Sequence, residues 1–279
     1  MAQSSVFVAL LTPFGANDEV DLAALRQHVE FLVAEGVDGV MPCGTTGEGP
    51  LLEDDEAAAV TQAVVAAASG RIRVLAHAGR TSTRATVRLA GRAIEVGADG
   101  VSAVVPYYYE VGDDQVLRHY RSLLEHAADT PVYAYTIPAR TGNELTPRAL
   151  RTLADEGLAG LKDSTKSIER HREYLQATAS SERFAVFMGS DGLLLAALEA
   201  GAAGSVSAIA NVRPDVVIGL ARAFVEGRSA EAKALQQEIA ALRSALSDGP
   251  ALAALKRATA EKLREDGISY PATLRAPLG

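Results

Sequence analysis

The sequence predicts an α/β chain folded as a (β/α)8 TIM barrel with a C-terminal helical extension, and three observations carry that prediction. Short apolar runs alternate with amphipathic stretches through residues 1–215, the rhythm of a parallel sheet with crossover helices. The runs number eight and are continuously apolar rather than strictly alternating, as strands covered on both faces are. An open doubly wound sheet usually has fewer strands and a Gly-rich phosphate loop after the first; here "LLTPFGAND" stands in that place.

In chain order the strands are expected at 6–11, 39–43, 72–78, 100–106, 131–137, 158–162, 184–189 and 204–209. Between the first two, "DLAALRQHVEFLVAEG" places apolar residues three and four apart and stops at Gly36, the pattern of an amphipathic helix with a glycine terminator. "EDDEAAAVTQAVVAAASG" opens with four acidic residues, which suit the positive end of a helix dipole. After "NVRPD" the strand runs cease. Residues 216–279 read as Ala-rich helices, too apolar on one face to stay solvated, expected to pack on the barrel or against a neighbouring subunit.

Composition narrows the class. The 279 residues carry a net charge of −8, which argues against a nucleic-acid or anionic-membrane partner. No run approaches the ~18 apolar residues of a membrane helix, and the N-terminus has no basic segment of the signal-peptide kind. The single Cys43 excludes an internal disulfide and suits a cytoplasmic setting. The five histidines are scattered without metal-ligand spacing, so no metal and no cofactor are expected, and His77, at a strand end, reads as a structural hydrogen-bonding residue.

Only five of the 27 basic residues are lysines, and one of them, Lys162, ends the apolar run "LAGLK". Lys166, Lys233, Lys256 and Lys262 read as surface residues. A lysine among apolar walls can act as a nucleophilic amine, which arginine cannot, and so can form a Schiff base with a carbonyl. The competing reading is a buried ion pair, with Asp163 as the nearest carboxylate; strand alternation turns Asp163 to the opposite face. In a barrel the C-terminal strand ends hold the site. "CGTTGEGP" there offers glycines and the hydroxyls of Thr45 and Thr46 to an anion, or else a capping box between Thr45 and Glu48. "VYAYTIPARTG" puts Tyr135 on the face of Tyr133 and follows it with Arg140, suited to a carboxylate or simply exposed. "VPYYYEVG" supplies three tyrosines as phenolic proton carriers or as packing, and "MGSDG" and "SAIAN" supply small residues that admit a ligand.

Taken together, "GTTGE", "PYY", "Y-x-x-P-x-R-T-G", "G-x-K-[DE]" and "G-S-D" resemble, in order and spacing, the dihydrodipicolinate synthase / N-acetylneuraminate lyase family of class I aldolases. The resemblance spans essentially the whole chain. It implies a Schiff base between Lys162 and pyruvate or another 2-keto acid, with Tyr135 as proton shuttle. Thr45 and Tyr108 would complete a proton relay, Tyr108 acting near or across a subunit interface. Thr46 would help hold the carboxylate, Gly189, Ser190 and Val206 would line the pocket, and the assembly would be a homotetramer or homodimer. Arg140 is similar to the arginine with which dihydrodipicolinate synthases hold the aldehyde's carboxylate. "KDS", "YYYE" and Thr136 depart from those synthases, and "GTTGxGP", "PYYY", "GxKD" and "GSD" are similar to 2-keto-3-deoxy sugar-acid aldolases, which is the expected subfamily. The alternatives are condensation with aspartate semialdehyde by a 4-hydroxy-tetrahydrodipicolinate synthase, a dehydratase on the same Schiff base, and a non-catalytic keto-acid binding protein. Gly49, Pro50, Glu53 and Glu56 stand where lysine-inhibited synthases carry Ser, Ala and two His, which implies no lysine feedback.

Overall fold

Eight parallel strands close on themselves in sequence order: β1 (Ser5–Ala9), β2 (Gly39–Met41), β3 (Arg73–His77), β4 (Gly100–Val104), β5 (Val132–Thr136), β6 (Gly160–Asp163), β7 (Ala185–Met188) and β8 (Gly204–Ser207). This computed structural model describes residues 4–181, 183–246 and 251–279. All eight expected strands are present. Several end earlier than the apolar runs: the Leu10 amide makes the last bond to β2, at the Met41 carbonyl, and Leu11 beyond it stays buried, so hydrophobicity outlasts the pairing.

Two apolar compartments hold the barrel. Inside it, Phe7, Ala9, Met41, Leu75, Phe187 and Val206 pack together, with the Phe7 and Phe187 rings edge to face at 5.5 Å. Outside, the larger cluster joins the outward strand residues to the helices, for example Val8, Val40 and Leu161 against Leu25, Val60 and Leu150. Burying each such side chain contributes roughly 1.5–3 kcal/mol.

Local signals fix the helix ends. Asp21 accepts from the Ala23 and Ala24 amides to start the helix Leu22–Glu35, and Gly36 ends it at φ 83°. The helix Asp54–Ala68 is opened by a capping box between Glu53 and Glu56. After β8 the chain forms the helices Pro214–Val225, Ser229–Ala245 and Ala251–Glu265. The closing segment 266–279 then returns to the C-terminal end of the strands, where Arg275 meets the β2 loop.

Candidate active site

Alternation along β6 sorts three consecutive residues. Leu161 packs outward, Lys162 points into the barrel at 4% exposure, and Asp163 turns outward again. Asp163 is engaged there: His171 Nδ1 lies 2.8 Å from one carboxylate oxygen, and the Thr165 amide and hydroxyl donate to the other. It therefore does not neutralise Lys162. The Lys162 Nζ instead lies 3.7 Å from Met41 Sδ and 4.3 Å from the centre of the Tyr135 ring. No carboxylate pairs with it among the described residues. Tyr135 is its register partner across the β5–β6 ladder, so one pleat delivers both side chains to the same place.

The Tyr135 hydroxyl lies 3.1 Å from Thr45 Oγ1. Thr45 is held by a tight loop in which Cys43 and Glu48 adopt left-handed backbone, φ 60° and 56°. The loop closes on Gly49, where a Cβ would fall 1.8 Å from the Cys43 carbonyl oxygen, so only glycine fits. Among the described residues the Thr45 and Thr46 amides donate to no protein acceptor, which leaves two N–H groups for an anion. Burial pushes the Cys43 thiol up to about 12, so it is a packing group and not a nucleophile.

Three sequence readings of this loop and its surroundings, the capping-box alternative among them, are corrected. Glu48 caps no helix. Its carboxylate is buried and takes Lys256 Nζ at 2.6 Å and the Arg275 amide at 2.9 Å, while Glu53 supplies the cap. Lys256, expected at the surface, is fully buried in this pair and lies 4.4 Å from the centre of the Phe14 ring. The C-terminal helices are thereby fastened to the loop that carries Thr45. The signal was present in "ALAALKRATAEKL": Lys256 stands four residues after Leu252 and seven before Leu263, on the apolar face. His77 likewise makes no structural side-chain hydrogen bond; its Nδ1 is buried without a partner among the described residues, and its ring stands edge-on to Tyr135.

A cavity of about 460 Å³ opens above Thr45, walled by Val104, Tyr107, Ile137, Leu252 and Leu274, with Arg140 at its edge. Arg140 sits on a short helical turn, Pro138–Thr141, rather than in an irregular loop. Val206 belongs to the inner-barrel cluster with Met41, beside the lysine. Gly189 and Ser190 follow β7, where Gly189 donates to the Asp163 carbonyl. Tyr108 is not brought to the others. It is 82% exposed at φ 79°, edge-on to the equally outward Tyr109. Asn143 pins this loop by donating to the Pro106 and Tyr109 carbonyls. The sequence did not single out Met41 or Ile137, although alternation in "GVM" already placed Met41 inward, and Tyr107 stood out only as one of three consecutive tyrosines.

The chain as a whole is similar to known proteins. The chain matches the Dihydrodipicolinate synthetase family model over residues 2–279. It belongs to that family. It is thus a Schiff-base-forming carbon–carbon lyase by membership, and its family acts on small molecules. An uncharacterised DapA-like lyase of Halobacterium salinarum is 42% identical over 251 residues, covering 89% of this chain and 81% of that protein. A 4-hydroxy-tetrahydrodipicolinate synthase of Thermomicrobium roseum is 38% identical over 241 residues, 86% of this chain and 78% of that one. Among solved structures, YagE, an E. coli K12 prophage protein of the dihydrodipicolinic acid synthase family in complex with pyruvate, superposes with a TM-score of 0.92 at 28% identity. The match covers 98% of this chain and 92% of that chain. Among the described residues no helix is long and apolar enough to cross a membrane, and no group of three or more His, Cys, Asp or Glu is placed to hold a metal ion.

Proposed function

We propose that the barrel, residues 1–215, uses Lys162 as the amine that condenses with pyruvate, with the helices 216–279 as its supporting extension. The observation that carries this reading is a buried lysine without a carboxylate, set against a tyrosine that is itself hydrogen-bonded to Thr45. The amine adds to the keto carbon, and the resulting hydroxyl leaves as water once Tyr135 supplies a proton. Loss of a methyl proton then gives the enamine, whose carbon attacks an aldehyde; the new alkoxide takes its proton back through Tyr135 and Thr45. The free Thr45 and Thr46 amides hold the pyruvate carboxylate, while Val206, Gly189 and Ser190 bound the pyruvate end. Tyr108 joins the relay from a second copy of the chain, in a homodimer or homotetramer; its pinned, outward display supports this. The setting is the cytoplasm.

For the aldehyde, the leading reading is aspartate semialdehyde, the 4-hydroxy-tetrahydrodipicolinate synthase reaction. Arg140 at an otherwise mainly apolar cavity suits an acceptor that ends in a carboxylate, and several relatives carry that name. The residues that favoured a 2-keto-3-deoxy sugar acid weigh less than their sequence position suggested. Thr136 and Asp163 are register partners that both face out of the barrel, away from any substrate on Lys162. That sugar-acid reaction stays as the second reading, because Tyr108–Glu110 lies outside this geometry. Rates with pyruvate plus aspartate semialdehyde, and with 2-keto-3-deoxygluconate, separate the two. A dominant semialdehyde rate that falls at least tenfold in Arg140→Ala supports the first; a dominant sugar-acid rate replaces it with the second. Binding of pyruvate without turnover on any acceptor would leave a keto-acid binding protein.

A further inference from the structure

The proposed reaction leaves one buried group at the barrel mouth without a task. His77 is the last residue of β3, two beyond the inward-facing Leu75, so its ring enters the barrel. It stands 5.7 Å from the Tyr135 ring, edge to face at 82°, while Lys162 Nζ lies 4.3 Å from that same ring. Gly79 makes room for it: a Cβ there would come within 2.9 Å of His77 Nε2 and 2.8 Å of the Val104 amide.

Chemically the position is odd for a group that merely fills space. Nδ1 is buried with no partner among the described residues, and leaving such a group unsatisfied costs about 1–3 kcal/mol. Leucine or phenylalanine would pack against Tyr135 without that penalty. The imidazole is neutral at any ordinary pH: burial, then the nearby charges of Lys162 and Arg80, push it down to about 3. A neutral imidazole offers one N–H and one lone pair, suited to holding an oxygen in place.

We propose that His77 touches the substrate, hydrogen-bonding the oxygen on C2 of the 2-keto acid as it adds to Lys162. This rests on the Schiff-base reading above. The adduct has two polar ends; the carboxylate goes to the Thr45–Thr46 amides, and the C2 oxygen is the one that Tyr135, His77's neighbour, must protonate. His77 holds that oxygen while the C–O bond breaks; the proton comes from Tyr135, water leaves, and His77 ends with the proton it began with.

The test follows the rate at which borohydride traps pyruvate on Lys162 in His77→Phe, which keeps a ring and loses both nitrogens, and in His77→Asn, which keeps a polar group and loses the ring. Thermal melting of each variant is recorded alongside. The expected result is trapping slowed about tenfold or more in His77→Phe, the effect of one hydrogen bond, with melting unchanged or raised, and partial recovery in His77→Asn. Trapping at the wild-type rate in His77→Phe, or equal slowing in both variants with lowered melting, would overturn the proposal and reduce His77 to packing. Absence of an adduct in the wild type would instead remove the Schiff-base reading, and the role of His77 with it.

Discussion

Lys256 and Lys162 are both walled off from solvent, 0% and 4% exposed, yet only Lys256 meets a carboxylate. Around Lys256 burial favours loss of the proton, and Glu48, at 2.6 Å, works against that loss. The same carboxylate takes the Arg275 amide, and the Arg275 guanidinium pairs with Glu56. The result is a charge-balanced fastening between the C-terminal helices and the Thr45 loop. Around Lys162 the barrel offers a thioether, an aromatic face and a phenol, and the adjacent carboxylate is turned away to His171. A structural lysine must keep its proton, whereas a nucleophilic one must be able to lose it. The difference between the two regions is where the counter-charge was placed.

The comparison is broken most directly by exchanging the lysines for apolar residues of similar shape. Lys162→Met should abolish turnover, by on the order of 10⁴-fold or more, without lowering the melting temperature, because no partner is orphaned. Steady-state rates and a thermal melt on one preparation check both halves. Tyr135→Phe removes the hydroxyl facing Thr45 and should lower kcat by about 100-fold or more while still folding, with Thr45→Val moving the same way by less. Lys256→Met should do the opposite of Lys162→Met. It leaves Glu48 buried and unpaired, and should destabilise the chain by about 3–5 kcal/mol in urea unfolding. Restoring balance with Glu48→Gln in the same chain should recover part of that loss.

How far the sequence foretold this contrast depended on distance along the chain. The eight strands were legible because two-sided burial writes continuous apolar runs, and Lys162 and Tyr135 were legible because alternation needs only neighbouring residues. Lys256 was misread because its partner lies 208 residues away, although its helical spacing carried the hint. A four-residue motif offered Glu48 a capping box as one of two readings of its loop, and a distant lysine claimed the carboxylate instead. Tyr108 was placed in the relay only by the family resemblance, and within one chain it stays exposed and apart from Lys162, Tyr135 and Thr45. The aldehyde was hardest to read for a simpler reason: Thr136 and Asp163 adjoin Tyr135 and Lys162 in sequence but face the opposite side of the sheet, so they say little about the acceptor.

The smallest effect concerns buried histidines near and far from the site. Burial pushes His28 and His77 down to about 3 and His119 to about 4, against an ordinary value of 6.5. The unfolded chain therefore binds more protons than the folded one between pH 6.5 and about 4, and stability falls as pH drops through that window. Each histidine should contribute a loss on the order of 2 kcal/mol between pH 7 and pH 5. Urea unfolding at the two pH values checks it, and His28→Leu, far from the site, should flatten the slope without altering the trapping of pyruvate.

The most direct measurement is peptide mass mapping after borohydride reduction with pyruvate. One reduced adduct is expected, on the peptide carrying Lys162, with Lys256 unmodified despite its burial. An adduct on Lys256, or none on Lys162 in a folded preparation, would contradict that expectation.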